Sequence, residues 1–157
     1  MTVDFPNKHF LINGEWVCSN TEIDLINPST GDVIAQVAEA NNEHVNDAVG
    51  VAKDALENTW KNITARERST LLSTLGRLIE ENYDVLAGLE ATDVGKPLRQ
   101  AQADVKALAR YMEFYAGAAD KLHGDTIPYL EDYTVYTLRE PHGVCAHIIP
   151  WNYPMQI

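Results

Sequence analysis

Residues 144–149, VCAHII, form an almost uninterrupted apolar run that is followed directly by Pro150. A strand with one solvated face alternates apolar and polar residues, whereas a run without alternation is typical of a strand covered on both faces of a parallel α/β sheet. Such a strand needs a crossover connection and a neighbouring strand, and too few residues follow the run to supply them. We therefore expect an α/β fold of which this chain holds only the first part.

Short antiparallel strands are predicted at the N-terminus. Residues 10–17 (FLINGEWV) surround an Asn13-Gly14 dipeptide that is typical of a hairpin turn. Residues 22–38 hold two further strand-like stretches on either side of the turn sequence NPSTG, at residues 27–31. Together these segments predict a small antiparallel meander.

After these strands the apolar residues recur at the three- and four-residue steps of amphipathic helices, and four helices are predicted. Asn41 or Asn42 is a candidate N-cap for the first, and Thr64 with Glu67 has capping-box spacing at the start of the second. A short third helix is expected to end near Gly95. The fourth presents a set of inward-facing apolar residues: Ala101, Val105, Leu108, Ala109, Met112 and Ala116.

Charge and composition exclude several classes of partner. The formal net charge of −11 disfavours nucleic acid and anionic membrane surfaces, since both would repel the chain. No apolar stretch approaches the roughly 20 residues needed to span a bilayer, and residues 1–10 lack the basic and apolar regions of a secretory signal. The 2 cysteines have no metal-ligand spacing. We expect a cytoplasmic protein without a dedicated zinc site.

The segment after the apolar run has the residues of a reaction centre. Pro150 and Pro154 stiffen the backbone on both sides of Trp151 and Asn152. The Asn152 amide could donate N–H groups to a developing oxyanion, and Trp151 could form a flat apolar wall for a coenzyme or substrate. An asparagine in a proline-flanked turn can instead satisfy its own backbone, so the residues alone leave both interpretations open.

The chain resembles the aldehyde dehydrogenase superfamily, and its sequence motifs are similar to those of the hydrolytic, betaine-aldehyde-dehydrogenase-like branch. The resemblance rests on five blocks in the family's order: INGEW (12–16), NPSTGDVIAQV (27–37), DVGKPL (93–98), YAGAADKLHGDTIP (115–128) and REPHGVCAHIIPWNYP (139–154). It implies an oxidoreductase that converts an aldehyde to a carboxylic acid with NAD or NADP, through a thiohemiacetal on a reactive cysteine. It also implies that Asn152 stabilises the oxyanion and that Ile149, Pro150, Trp151 and Asn152 contact the coenzyme.

The resemblance further implies a monovalent cation, K⁺ or Na⁺, held by the backbone carbonyl of Ile26 and the carboxylate of Asp93. Asp93 could instead serve only as a hydrogen-bonding residue near a helix end. Residues 133–141 match the family's oligomerisation arm, in which a strand pairs with a neighbouring subunit, so a homo-oligomer (dimer or tetramer) is expected. A hairpin within one chain is the alternative, and composition does not separate the two.

The expected organisation follows from these matches. Residues 1–126 correspond to the N-terminal part of the coenzyme-binding domain, residues 127–141 to the oligomerisation arm, and residues 142–157 to the first parallel strand and the PWN loop. Cys145 and His147 are expected to be packed within that strand and to have no catalytic role. The family's nucleophilic cysteine and general-base glutamate have no counterpart in this chain, so the chain alone is expected to be inactive. The alternative is a short interaction module that acts through its oligomerisation strand.

Overall fold

The computed structural model describes residues 9–157. A short 3-10 helix, Trp60–Asn62, lies between the first two of four α-helices. The bounds are β1 (Phe10–Ile12), β2 (Glu15–Val17), β3 (Glu22–Ile26), β4 (Val33–Ala38), α1 (Asn42–Asn58), α2 (Ala65–Glu81), α3 (Tyr83–Val94), α4 (Leu98–Ala118), β5 (Thr126–Ile127) and β6 (Val135–Tyr136). The prediction that residues 1–10 hold no secretory signal falls mostly on residues 1–8, outside the described residues.

The two N-terminal hairpins form at the predicted turns. Asn13 and Gly14 have φ values of 55° and 78°, the positive pair that a two-residue hairpin turn requires. In the NPSTG turn, Asn27 Oδ1 accepts a hydrogen bond from the Ser29 amide at 2.8 Å. The predicted meander is wrong, because β1–β2 and β3–β4 are separate two-stranded sheets. The first hairpin lies against α1 instead, where the Phe10 ring is 5.0 Å from that of His44.

The four predicted helices are confirmed, and their caps explain where they begin. Asn41, one of the two candidate N-caps, accepts hydrogen bonds from the first turn of α1. Thr64 and Glu67 form the predicted capping box on α2. Hydrogen bonds from Thr64 lower the pKa of the Glu67 carboxyl. Gly95 ends α3 in the left-handed conformation.

Helix α4 lies at the centre and packs against α2 and α3. Four of its predicted inward-facing residues, Ala101, Val105, Ala109 and Ala116, are buried, and the other two, Leu108 and Met112, pack partly buried against the same core. Ile79 of α2 and Ala87 of α3 complete the contact. The inward face of α4 predicted from the sequence is therefore confirmed.

Other apolar faces of the helical layer are only partly covered. No residue of α1 is buried, although its apolar stripe is present. On α2, Leu71, Leu75 and Leu78 are exposed, although they recur at helical spacing with the buried Ile79. Within residues 9–157 the apolar stripe of α1 is at most half-buried and this face of α2 is exposed, so only the side of α2 that meets α4 is buried.

The structure differs from the sequence prediction at residues 144–149. This run lies outside any helix or strand, and the Ile148 side chain is 99% exposed. Cys145 and His147 are also exposed, so the expectation that both are packed inside a covered strand is wrong for this structure. The reason is physical: a strand is defined by its neighbour, and no part of residues 9–157 pairs with this run.

Strands β5 and β6 pair with each other. Thr126 lies opposite Tyr136, and the Asp125 amide donates to Thr137 Oγ1 at 2.8 Å beside that pair. Part of the segment predicted as an oligomerisation arm therefore forms a hairpin within the chain. Within residues 9–157 no other strand pairs with the second edge of β6, and the arm stays a prediction. Among the helices in residues 9–157, none has both the length and the hydropathy to cross a membrane.

Candidate active site

The predicted site residues lie in the PWN segment, residues 149–157, which ends the chain in a series of turns. Ile149, Trp151 and Asn152 are exposed, and Trp151 is 83% exposed. Pro150 is half-buried. The structure thus brings the four predicted site residues together at one surface, with their side chains open to solvent.

The C-terminal half of the PWN segment is fastened to helix α4. The Gln100 amide donates to Tyr153 Oη at 2.8 Å, and the Gln156 amide donates to Tyr111 Oη at 3.1 Å. Met155 packs against the core formed by α2, α3 and α4. The contact of Tyr153 is adjacent to Asn152, so this contact joins the exposed asparagine to an anchored stretch of chain.

A buried ion cluster lies beneath this anchor. We call Glu90, Lys96 and Asp104 the lysine cluster. Lys96 Nζ donates to Glu90 Oε1 at 2.6 Å and to Asp104 Oδ2 at 2.7 Å. All three side chains are buried: that of Lys96 is 7% exposed, that of Glu90 1% and that of Asp104 8%. The Lys96 ammonium also lies 4.3 Å from the centroid of the Tyr153 ring, which is within the range of a cation–π contact.

Electrostatics keep the cluster charged. Burial disfavours the ammonium form of Lys96, but hydrogen bonds to Asp104 and Glu90 and the charges of both carboxylates outweigh it, so the pKa of Lys96 is raised. Glu90 Oε2 is buried without a hydrogen-bond partner in the described part of the chain. Two carboxylates thus share one ammonium, and Lys96 is held from both sides.

The residues predicted to hold a cation lie in two segments that touch. Gly95 is packed so closely on the NPSTG turn that a Cβ atom there would be 2.5 Å from Pro28 Cγ. The β3–β4 ladder shifts register beside Ile26, a disruption that can free backbone carbonyls. Burial raises the pKa of Asp93, and its carboxylate has no hydrogen-bond donor within residues 9–157. A carbonyl and an unpaired carboxylate are ligands that suit a hard monovalent cation.

Sequence reasoning identified the PWN segment but missed Lys96, Gln100 and Tyr153. A usable signal was present in the helices. Glu90 interrupts the apolar stretch VLAGLEA, and Asp104 shares the apolar face of α4 with Ala101 and Val105. Charged residues on buried helix faces require a partner of opposite sign. The lysine between the two helices was the available partner.

Comparisons with known proteins show the family of this chain. A sequence model described as the Aldehyde dehydrogenase family matches residues 16–157. A curated relative from Arabidopsis thaliana, "Aldehyde dehydrogenase family 2 member B4, mitochondrial", is 43% identical over 98% of this chain. The chain spans only 29% of that relative's length.

Solved structures give the same result. The NAD⁺ complex of aldehyde dehydrogenase from Bacillus cereus is 42% identical, with a TM-score of 0.91 over 95% of this chain and 31% of the other. A double mutant of betaine aldehyde dehydrogenase from Staphylococcus aureus, in complex with NAD⁺, is 33% identical with a TM-score of 0.94 over 99% of this chain and 32% of the other. The α/β fold expected from the sequence is thereby confirmed as the first part of this fold. The chain belongs to the aldehyde dehydrogenase family.

Proposed function

We propose that this chain is the N-terminal part of an enzyme that oxidises an aldehyde to a carboxylic acid with NAD or NADP, and that Asn152 stabilises the oxyanion formed when a cysteine thiolate attacks the aldehyde. The observation that carries the proposal is the PWN segment itself. Asn152 lies exposed between two prolines, and the next residue, Tyr153, is fixed to α4. An amide held in this way can donate to a reacting oxygen that approaches from the solvent side.

A neutral side-chain amide has the properties that an oxyanion donor needs. A neutral amide donates N–H groups without titrating near neutral pH, so its contribution does not depend on a proton equilibrium. A donor that is placed before the reaction begins has no reorganisation to undergo as negative charge develops. Asn152 makes no side-chain hydrogen bond within the described residues, so its donors are not committed to the turn. This favours the oxyanion role over the turn role.

Coenzyme contact is proposed for Ile149, Pro150, Trp151 and Asn152. Bound NAD⁺ or NADP⁺ would accept the hydride removed from the aldehyde carbon. The exposed Trp151 ring and Ile149 side chain offer apolar surface for such a ligand, and Pro150 restricts the backbone between them. The Bacillus cereus and Staphylococcus aureus neighbours were both solved with NAD⁺, which supports this coenzyme class.

A structural cation is proposed at Ile26 and Asp93. The contact between Gly95 and Pro28 brings the two segments together, and the unpaired Asp93 carboxylate supplies the charge. The test compares thermal unfolding of the intact enzyme in potassium, sodium and tetramethylammonium chloride. We expect a higher midpoint with K⁺ or Na⁺, and a loss of this difference in Asp93→Asn. Equal midpoints in all three salts would reject the site.

Assembly through β6 is also proposed. Its free edge and the exposed Tyr133, Tyr136 and Leu138 side chains supply backbone groups and apolar surface for a neighbouring subunit. Light scattering of the intact enzyme should give the mass of a dimer or tetramer. A cytoplasmic location stays a prediction, and the Arabidopsis relative is named as mitochondrial.

The proposed activity is tested by following NADH and NADPH formation by the intact enzyme with aliphatic, aromatic and amino-aldehydes. We expect turnover with at least one aldehyde class and with one of the two coenzymes. The chain of 157 residues is expected to give none, because neither Cys18 nor Cys145 matches the reactive cysteine of the family. Failure of the intact enzyme on the whole panel, with coenzyme bound, would contradict the proposal.

A further inference from the structure

We propose that Lys96 and Tyr153 are positioning residues for the reaction: they hold the backbone next to Asn152 so that its amide meets the oxyanion at the correct distance. The inference rests on the proposed oxyanion role of Asn152 and names the device that fixes that residue in place. Lys96, Gln100 and Tyr153 are called the clamp below.

The clamp acts on the residue adjacent to Asn152. Tyr153 is held at two points, because its hydroxyl accepts from the Gln100 amide at 2.8 Å and its ring lies 4.3 Å from the Lys96 ammonium. Asn152 itself has no side-chain hydrogen bond to residues 9–157, and Trp151 on its other side is 83% exposed. The position of the Asn152 backbone is therefore set from the Tyr153 side.

Lys96 is a rigid support for the ring. Two of its three N–H donors are used by Glu90 and Asp104, at 2.6 and 2.7 Å, and its side chain is 7% exposed. Glu90 belongs to α3 and Asp104 to α4, so the ammonium is fixed by two helices. A desolvated cation facing an aromatic ring makes a stronger contact than an exposed one. The Tyr153 ring is thus held by a side chain fixed in the core and not by a mobile surface side chain.

The chain supplies a matched control for the clamp. Gln156 donates to Tyr111 Oη at 3.1 Å, again an amide joined to a phenol on α4. This bond lies four residues beyond Asn152 and involves no buried cation. Loss of the Tyr111 hydroxyl should therefore leave the Asn152 amide where it is.

The test measures kcat, the KM for aldehyde and the Kd for NAD⁺ in the intact enzyme. Tyr153→Leu removes the ring, and we expect kcat to fall roughly 10- to 100-fold, since small misplacements of a reacting group have effects of that size. KM and Kd should change less than about twofold, because the lost interaction belongs to the transition state. Tyr153→Phe keeps the ring over Lys96 and should restore kcat to within about threefold of wild type. Tyr111→Phe should leave kcat unchanged.

A double-mutant comparison separates positioning from general stability. In an Asn152→Ala background, Tyr153→Leu should lower kcat no further, because the group it positions is gone. Additive losses, or a Tyr153→Leu enzyme with wild-type kcat, would overturn the clamp. If Tyr153→Leu does not fold, Tyr153→Met takes its place with the same expected outcomes. Methionine is also an apolar residue without an aromatic ring, and its volume is comparable to that of leucine.

The two proposals fail in different ways. A large loss in Asn152→Ala with no loss in Tyr153→Leu rejects the clamp and leaves the oxyanion role standing. Near wild-type turnover in Asn152→Ala rejects the oxyanion role, and the clamp as a device acting through Asn152 falls with it. A loss in both, non-additive when combined, supports both.

Discussion

Lys96 joins three parts of the chain at one nitrogen atom. Its ammonium contacts a carboxylate on α3, a carboxylate on α4 and the aromatic ring that follows Asn152. A buried ion pair adds little stability when compared with well-packed apolar residues, but removing one partner leaves the other charge buried and unpaired. The cluster is therefore sensitive to the loss of its single cation.

Substituting Lys96 by methionine should be costly for folding. Lys96→Met leaves Glu90 and Asp104 buried without a cation, and we expect a loss of about 3–5 kcal/mol in the free energy of unfolding. Urea unfolding of the intact protein measures this loss. Lys61→Met is the control, because Lys61 pairs with Glu57 at 3.7 Å on an exposed helix surface. Its effect should stay below about 1 kcal/mol. Equal effects of the two substitutions would contradict the buried cluster.

The charge of Lys96 should make the stability of the protein depend on pH in the alkaline range. The folded-state pKa of Lys96 is raised above its ordinary value of 10.5, so its charge stabilises the fold fully below that value and this contribution is lost as pH rises through the folded-state pKa. The stability difference between wild type and Lys96→Met should be constant from about pH 7 to 9 and shrink above about pH 10.5. A difference that grows with rising pH would contradict the account.

At the level of single residues, the sequence predicted the position of Asn152 but not what holds it. Asn152 lies in a local motif that a linear pattern displays. The clamp depends on Lys96 and Tyr153, which are 57 positions apart in the sequence and meet where the PWN segment lies against α4. A contact between residues so far apart in the sequence leaves no local pattern from which it could be predicted.

Among the elements, the junction between the NPSTG turn and the end of α3 combines a close contact with a positive φ at one glycine. Gly95 has a φ of 73°, which residues with a side chain rarely adopt, and Pro28 fills the space where a Cβ would lie. Two segments proposed to share a cation are thus in contact at a position that only glycine fits.

A pair of glycine substitutions tests that junction. Gly95→Ala should destabilise the protein by roughly 1–3 kcal/mol, through backbone strain and displacement of Pro28. Gly50→Ala is the control, since Gly50 lies within α1 with open space around its Cα. It should be neutral or stabilise by up to about 1 kcal/mol. Thermal unfolding reports both, and a Gly95→Ala protein as stable as Gly50→Ala would contradict the described contact.

The helices could be predicted and the strand pairing could not. Caps such as Thr64 with Glu67 and the periodicity of α4 are local signals, and both are confirmed. Pairing is a non-local property. The sequence therefore located β1–β2 and β3–β4 around their turns but did not predict that the two hairpins stay separate.

For the whole molecule, the exposed surface is the informative quantity. The chain exposes 12127 Å², whereas a compact monomer of 17.5 kDa is expected to expose about 7,900 Å². Many large apolar side chains are exposed, including Leu71, Leu75 and Tyr115. One groove of about 390 Å³ is lined by Trp60, Leu71, Leu72, Leu75, Tyr115 and Leu122. Surfaces of this kind are normally covered by other protein.

The isolated 157-residue chain should consequently bind hydrophobic dyes and self-associate. We expect strong ANS fluorescence and elution above the monomer mass in size-exclusion chromatography, whereas the intact enzyme should bind little ANS. Leu75→Glu, placed in the groove, should reduce dye binding by the chain, and Glu80→Gln outside it should not. A monodisperse chain without dye binding would contradict the proposal that other protein covers this surface.

At this scale the sequence predicted a covered strand that the described part of the chain does not form. Residues 144–149 have the composition of a covered strand, yet no strand within residues 9–157 pairs with them. The family match confirms the fold to which such a strand belongs. Its pairing in the intact enzyme stays a prediction.

The central claim is that the Asn152 amide stabilises the oxyanion. The most direct measurement is kcat for Asn152→Ala in the intact enzyme, alongside its Kd for NAD⁺ and the matched control Asn58→Ala, which removes an exposed amide bonded to Asp54 within α1. We predict that kcat falls about 10²- to 10³-fold in Asn152→Ala, with Kd changed less than about threefold and Asn58→Ala indistinguishable from wild type. An Asn152→Ala enzyme that turns over at the wild-type rate would contradict the claim.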